Sequence, residues 1–168
     1  MSDTHENLQG QAAFDKIKEI SKHSRSCQML TALDKRPICS RPMGVQETDE
    51  MGRMFFLSHK NSNKNREINA SNEMQLVFSN DQDLEYMSLF GHAEIYRDQK
   101  QINKMYTAFA DNWFNGKDDP DITIIRFTPT EGKYCDTRHG KIVQFASMLA
   151  GAITGKNKSD GVEGKISL

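Results

Sequence analysis

The sequence predicts a mainly β protein with flanking helices (α+β class), built as a small antiparallel barrel with the helices packed outside. Five or six short apolar segments follow one another with only short polar turns between them. One long segment, 85–97, alternates apolar and polar residues with a period of two, which is typical of a strand. Strands in direct succession exclude a doubly wound parallel sheet, because that fold needs a helix between strands. We expect one domain over 1–168.

The first element is predicted as a helix from about Glu6 to Ser24. Ala13, Ile17 and Ile20 fall at helical spacing on one face, and charged residues occupy the other faces. Because this apolar stripe is narrow, we expect the helix to lie over a larger surface rather than to form the core.

A hairpin and a third strand are predicted next. Segments 27–33 and 38–44 are joined by the tight polar turn 34–37, which favours an antiparallel pair. A second polar turn, 47–52, leads to the apolar strand 54–58.

Three further elements occupy the middle of the chain. A short helix is predicted over 63–70 and a compact apolar strand over 74–79. In the long strand 85–97, alternate residues from Met87 to Ile95 share the apolar face. Gly91 in its middle suits a bulge in a curved sheet.

The remaining elements are less regular. A helix is predicted from about 98 to 115, because Ile102, Met105, Tyr106, Phe109 and Trp113 form one aromatic stripe at helical spacing. The predicted elements after it are a loop at 118–121, a strand at 122–128, a pairing strand at 132–136, and an amphipathic helix or arm at 143–153 followed by a loose glycine-containing tail. We place the core at about 10–140 and the C-terminal helix or arm at 141–168.

Composition excludes several classes of function. The 22 lysines and arginines nearly balance the 23 aspartates and glutamates, so the formal charge of −1 gives no bulk attraction to nucleic acid or to an anionic membrane. No apolar run approaches the ~20 residues of a membrane span. The polar, acidic start at 1–6 is unlike a secretory signal, so we expect a cytoplasmic protein.

Cysteine and histidine residues show no metal-binding pattern. The three cysteines, Cys27, Cys39 and Cys135, lack zinc spacing, and the five histidines show no HExxH-type pairing. We therefore expect no metal site. Cys27 and Cys39 are expected to be buried, reduced thiols in strands.

The stretch 55–64 is the strongest candidate site. An apolar strand runs into a polar turn with hydroxyl, amide and ammonium groups, which suits a ligand that is flat at one end and anionic at the other. Arg41 and Lys64 provide charge, and Ser62 with the amides that open the next helix provides donors for a phosphate. Met43 offers an apolar surface for a ring. The alternative is a strand end followed by a solvated basic loop.

Five segments, in order and spacing, carry a resemblance to a known family over roughly residues 10–165. The Trp-Phe-x-Gly-Lys-Asp-Asp-Pro-Asp block at 113–121 is the most specific of them. The segments are Ser-Arg-Pro-Met at 40–43, Phe-Phe-Leu-Ser at 55–58, Asn-Ser-Asn-Lys at 61–64, Ser-Leu-Phe-Gly-His-Ala at 88–93 and the block beginning at Asn112. They resemble the general-stress-protein branch of the pyridoxamine 5'-phosphate oxidase-like flavoproteins.

The resemblance implies a split β-barrel of the FMN-binding type that forms a homodimer with FMN at the subunit interface. By position, Arg41 and Lys64 match phosphate ligands, with Ser62 beside them. The implied wall and backbone edge around the ring are Met43, Phe56, Leu57 and Ser58. Trp113 matches a contribution from the partner subunit, and the tail after Lys141 fits an arm that crosses the dimer.

Two departures limit what the resemblance implies. Cys135 stands where many relatives have tryptophan. The Arg and His residues that grip pyridoxamine phosphate in the true oxidases have no equivalent here, since His139 stands alone. The expected function is a flavin-dependent oxidoreductase of unknown substrate, with no catalytic residue nominated. The alternatives are a non-enzymatic flavin-binding or flavin-sensing stress protein, and a module that has lost FMN and binds another ligand or a partner.

Overall fold

The computed structural model describes residues 7–136 and 162–168. These residues form nine strands, three α-helices and one 3-10 helix. The strands are β1 (Leu8–Gln9), β2 (Ser26–Thr31), β3 (Cys39–Gly44), β4 (Glu47–Thr48), β5 (Met54–His59), β6 (Glu73–Asn80), β7 (Glu85–Tyr96), β8 (Ile122–Asp136) and β9 (Val162–Ser167). The helices are α1 (Gly10–Ser24), α2 (Asn63–Ala70), α3 (Gln99–Met105) and the 3-10 helix Ala108–Asn112. The predicted mainly β class with flanking helices is confirmed.

Helix α1 covers the sheet with the predicted face. Ala13, Ile17 and Ile20 are fully buried in the main core, which lies between α1 and the sheet. The helix begins later than expected, because Gly10 has a φ of +56° and the two residues before it form β1.

The hairpin of β2 and β3 is antiparallel, as predicted, and its register pairs Met29 with Arg41 and Cys27 with Met43. Arg41 and Met43 lie on the same face of β3, because side chains two residues apart in a strand point the same way. The predicted polar turn at 47–52 also contains a two-residue strand, β4, which pairs with the start of β5.

A bulge occurs at Gly91, as the sequence predicted. The register between β7 and β8 shifts between Phe90 and Gly91. A Cβ atom on Gly91 would lie 2.1 Å from the carbonyl oxygen of Thr128, so only glycine fits this crossing without displacing backbone.

The predicted pair of strands at 122–128 and 132–136 is wrong, because both segments belong to the single strand β8. Strand β8 pairs with β7 on both sides of the bulge. Gly132, the first residue of the second predicted strand, allows a close approach between β8 and β7. A Cβ atom there would lie 2.6 Å from both Leu89 Cδ2 and the carbonyl oxygen of Ser88.

Strand β8 is the point at which the sheet branches. One edge pairs with β7 along its length, and the other pairs with β5 at residues 122–127 and with β9 at residues 131–136. The main path of strands is β1-β9-β8-β7-β6-β2-β3, with β5 and β4 branching from β8. Strand β5 is buried on both faces: Met54 and Phe56 lie in the main core, whereas Phe55 and Leu57 lie in a second core with α3.

The predicted continuous helix at 98–115 is wrong. Helix α3 starts at the N-cap Asp98, whose side chain accepts a 3.0 Å hydrogen bond from the Gln101 amide, and ends at Met105. Tyr106 and Thr107 are extended, and the 3-10 helix follows. The break is consistent with the low helix propensity of an aromatic residue followed by a β-branched one. It separates the buried half of the apolar stripe from the exposed half.

The C-terminal predictions have two outcomes. The helix or arm at 143–153 lies outside the described residues, as does His139. The expectation of a loose tail is wrong for its last residues, because β9 pairs antiparallel with β8 and parallel with β1.

Neither a membrane span nor a metal cluster is found in the described ranges. No helix within residues 7–136 and 162–168 combines the length and apolar character needed to cross a bilayer. The same residues contain no group of three or more His, Cys, Asp and Glu side chains arranged to hold a metal ion.

Candidate functional site

A cavity of about 410 Å³ opens between β3, the end of β5, the start of α2 and the 3-10 helix. This volume is within the range of small-molecule sites. Six of the eight predicted cofactor-binding residues line it, and these are Arg41, Met43, Leu57, Ser58, Lys64 and Trp113. The hairpin register and the turn between β5 and α2 bring these distant segments together.

Two cations define one end of the cavity. The ammonium group of Lys64 is half-buried, and it has no ion pair with any residue that the structure describes. Burial lowers its pKa from the usual value, and the nearby Arg41 guanidinium lowers it further, while Glu67 partly offsets both. A buried cation without a paired anion is costly. This end of the cavity is therefore suited to an anion.

Arg41 is held by an internal carboxylate. Its Nη2 donates to Glu67 Oε2 at 2.7 Å, and its Nη1 donates to the hydroxyl of Thr31. The Arg41 and Glu67 side chains are 22% and 17% exposed. Because a guanidinium has five N–H donors, this pairing leaves others for a ligand.

Ser62 has a different local role from the other predicted residues. It is the N-cap of α2, and its hydroxyl accepts a 3.4 Å hydrogen bond from the Asn65 amide. It also lies 3.2 Å from the Ser58 hydroxyl. Ser62 is not among the residues that line the cavity, so it orients the helix start that carries Lys64.

The apolar wall comes from Met43 and Leu57. Phe56 does not line the cavity, because its side chain is fully buried in the main core. The carbonyl of Phe55 accepts a 2.9 Å bond from the Gln46 amide on the edge away from β8. Since backbone groups alternate between the two edges of a strand, the N–H and C=O of Leu57 point to that same edge.

An exposed aromatic pair forms the rim. Phe109 and Trp113 meet edge to face with ring centroids 4.9 Å apart. Their side chains are 69% and 63% exposed although both line the cavity. Trp113 thus reaches the cavity of its own chain.

Sequence reasoning missed two contributors to the site. His59 lines the cavity, accepts a 3.2 Å bond at Nδ1 from the Asn61 amide, and places Nε2 3.2 Å from Asp121 Oδ2. The second is Glu67, which binds Arg41. The signal for His59 was its partner Asp121, which belongs to the Asp-Asp-Pro-Asp segment. No local signal in the sequence marks Glu67.

The comparisons with known proteins agree with this architecture. General stress protein 26 from Bacillus anthracis is 21% identical, with a TM-score of 0.64, over 72% of this chain and 92% of that protein. The general stress FMN/FAD binding protein from Xanthomonas citri is 17% identical, with a TM-score of 0.60, over 73% of this chain and 86% of that one. These likenesses confirm the fold.

Sequence comparison is more specific. Protein bli-3 of Neurospora crassa is 25% identical over 165 residues, which cover 89% of this chain and 79% of that protein. The family model described as pyridoxamine 5'-phosphate oxidase like matches residues 12–160. Because that match includes both strands of the hairpin, the turn before α2 and the aromatic rim, the chain belongs to the pyridoxamine 5'-phosphate oxidase-like family.

Proposed function

We propose that this chain binds FMN in the cavity between β3, β5, α2 and the 3-10 helix. The observation that carries the proposal is the half-buried ammonium of Lys64, which lies near Arg41 at one end of an apolar cavity. A phosphate there would supply the missing anion, and an aromatic ring would fill the apolar part.

The residues present fit both halves of this ligand. The phosphate lies at Lys64 and the open N–H donors of Arg41, close to the start of α2, where helix amides have no intrahelical partner. The ring lies against the side chains of Met43 and Leu57. The backbone N–H and C=O of Leu57 point to the edge of β5 away from β8. The proposal gives Phe56 no contact with the ligand, because its side chain is buried in the main core and it does not line the cavity. Ser58 lines the cavity, but its carbonyl accepts a hydrogen bond from the Thr123 hydroxyl of β8.

A second copy of the chain completes the site in this proposal. Phe109 and Trp113 are large, apolar and mostly exposed beside the cavity. Large exposed apolar groups beside a cavity support an interface. A homodimer would cover this aromatic rim and exclude water from the ring.

The proposed activity is that of a flavin-dependent oxidoreductase. FMN, when bound, supplies the electron-transfer chemistry. The chain's own residues bind the phosphate, orient the ring and restrict solvent. A non-enzymatic flavin-binding role is the second candidate. The ionisable side chains among the described residues that line the cavity are the two cations and His59, which is engaged with Asp121. This set of side chains favours the second candidate.

Titration of the purified protein with FMN and with riboflavin tests the binding proposal. We expect saturable, stoichiometric binding of FMN and markedly weaker binding of riboflavin, which lacks the phosphate. A protein that ignores both flavins would overturn the proposal. Reduction of the bound flavin by NADH or NADPH, followed by transfer to an acceptor, would distinguish the oxidoreductase from the binding protein.

A further inference from the structure

Glu67 is placed to act on whatever anion meets Lys64 and Arg41. It lies three residues after Lys64 on α2, so both side chains share one face of the helix. Its Oε2 accepts from Arg41 Nη2 at 2.7 Å and from the Thr31 hydroxyl, and the Cys39 thiol is a third hydrogen-bond partner. The carboxylate therefore joins α2 to both strands of the hairpin.

This carboxylate is ionised at neutral pH. Burial raises the pKa of Glu67, but hydrogen bonds from Thr31 and Arg41 and the charge of Arg41 outweigh that effect, so the pKa lies below its usual value. Arg41 and Lys64 line this end of the cavity, and the carboxylate of Glu67 lies behind them as a fixed anion paired with Arg41.

The fixed anion competes with the ligand. A phosphate monoester carries a charge of about −1.5 to −2 at pH 7. Arg41, Lys64 and Glu67 together carry one net positive charge. This charge attracts the phosphate less strongly than the two charges of Arg41 and Lys64 would without Glu67. The charge of Arg41 is already partly neutralised by Glu67 at hydrogen-bonding distance.

On the basis of the proposed function, we infer that Glu67 determines how tightly the cavity holds a phosphate-bearing flavin, by weakening that hold enough for the ligand to exchange with solution. Glu67 acts through Arg41 and through the field at the phosphate. It does not need to touch the ring, so its effect is confined to ligands that carry the phosphate.

Glu67→Gln separates charge from shape. Glutamine keeps an acceptor oxygen for Thr31 and Arg41 and removes the negative charge. Glu73→Gln is the matched control, because Glu73 is an exposed glutamate at the start of β6 that does not line the cavity. It reports the effect of one less surface carboxylate.

The experiment measures the Kd for FMN and for riboflavin, and the FMN release rate, at two salt concentrations. We expect Glu67→Gln to bind FMN about tenfold more tightly and to release it more slowly, since one unit charge is removed near the phosphate. Riboflavin affinity and the Glu73→Gln protein are expected to stay unchanged. The FMN gain is expected to shrink at high salt.

Two results would overturn the inference while leaving the proposed function intact. The first is a wild type that prefers FMN to riboflavin together with a Glu67→Gln protein whose FMN affinity is unchanged or lower. The second uses wild type alone and does not depend on folding of the variant. One effective charge-assisted contact corresponds to a preference for FMN over riboflavin of about 10–100-fold, and two correspond to about 100–10,000-fold. A preference above about 100-fold contradicts the inference. A wild type that binds neither flavin refutes the proposed function itself.

Discussion

The hydroxyl of Ser58 donates a 2.6 Å hydrogen bond to Oδ1 of Asn65, which is buried in the first half of α2. The side-chain Nδ2 of Asn65 donates in turn to Thr123 Oγ1 at 2.9 Å, and that hydroxyl donates to the Ser58 carbonyl at 2.9 Å. This closed network fixes the helix that carries Lys64 against the end of β5. It makes the position of the cationic end a property of the buried scaffold rather than of a surface loop.

Replacing Asn65 by alanine is therefore expected to destabilise the protein by about 1–3 kcal/mol, because the buried Ser58 hydroxyl and the half-buried Thr123 hydroxyl each lose a partner. Urea unfolding measures the change. Asn69→Ala is the control, since Asn69 is exposed near the end of the same helix. Equal stability of the two variants would contradict the role given to the network.

Lys64→Gln tests the phosphate assignment. We expect FMN affinity to fall about 10–100-fold through loss of one charge-assisted contact, with little change for riboflavin. Lys133→Gln, an exposed lysine of β8 outside the cavity, should leave both affinities unchanged. The stability of the ligand-free protein should not fall, because the lowered pKa means that folding disfavours the Lys64 cation. Similar losses for FMN and riboflavin would place Lys64 away from the phosphate.

Gly91→Ala tests the crossing of β7 and β8. The new methyl group would lie 2.1 Å from the Thr128 carbonyl oxygen, so strand backbone must move. We expect a loss of about 2 kcal/mol or more in the free energy of unfolding. Gly44→Ala is the control, since the nearest atom to its Cβ would be Gln46 Nε2 at an ordinary 3.5 Å. A Gly91→Ala protein as stable as this control would show that the bulge adapts freely.

Cys27 predicts a dependence of stability on alkaline pH. The thiol is 5% exposed, and burial raises its pKa from 9.0 to about 12. Between these values the folded state retains a proton that the unfolded state has lost, so stability falls as pH rises above 9, by about 1.4 kcal/mol per pH unit. Unfolding curves of wild type and Cys27→Ala from pH 8 to 11 isolate this contribution. The difference between the two proteins should be constant below pH 9 and change above it; a constant difference throughout would contradict the prediction.

Local pattern was sufficient for several features of the fold and the site. The alternation in 85–97 identified both faces of β7, and Gly91 identified its bulge, because burial on one side of a strand acts on every second residue. The step from apolar 54–58 to polar 59–64 marked the strand end and the start of α2. Residue type and order also indicated Arg41, Lys64 and Met43, and the family resemblance added Leu57; all four line the cavity.

Other features depended on partners far away in the chain. Segments 122–128 and 132–136 appear separate in sequence, yet β7 pairs with both and makes them one strand. Phe56 has the same apolar character as Leu57, but the two side chains enter different cores because β5 is covered on both faces. The exposure of Trp113 followed from a break in the helix that its spacing did not reveal.

By itself, the sequence determined the strands of the hairpin, β5, β6 and β7, where the basic turn begins α2, and which family the chain resembles, because these depend on the order and spacing of residues along the chain. Only the tertiary structure decided that Glu67 lies at hydrogen-bonding distance from Arg41, 26 residues away, and that Lys64 has no such ion pair among the described residues. Those facts depend on how α2 packs against the β2–β3 hairpin. The charge balance of a site is set by the side chains that packing brings together, so it cannot be obtained from the residues that surround each one in sequence.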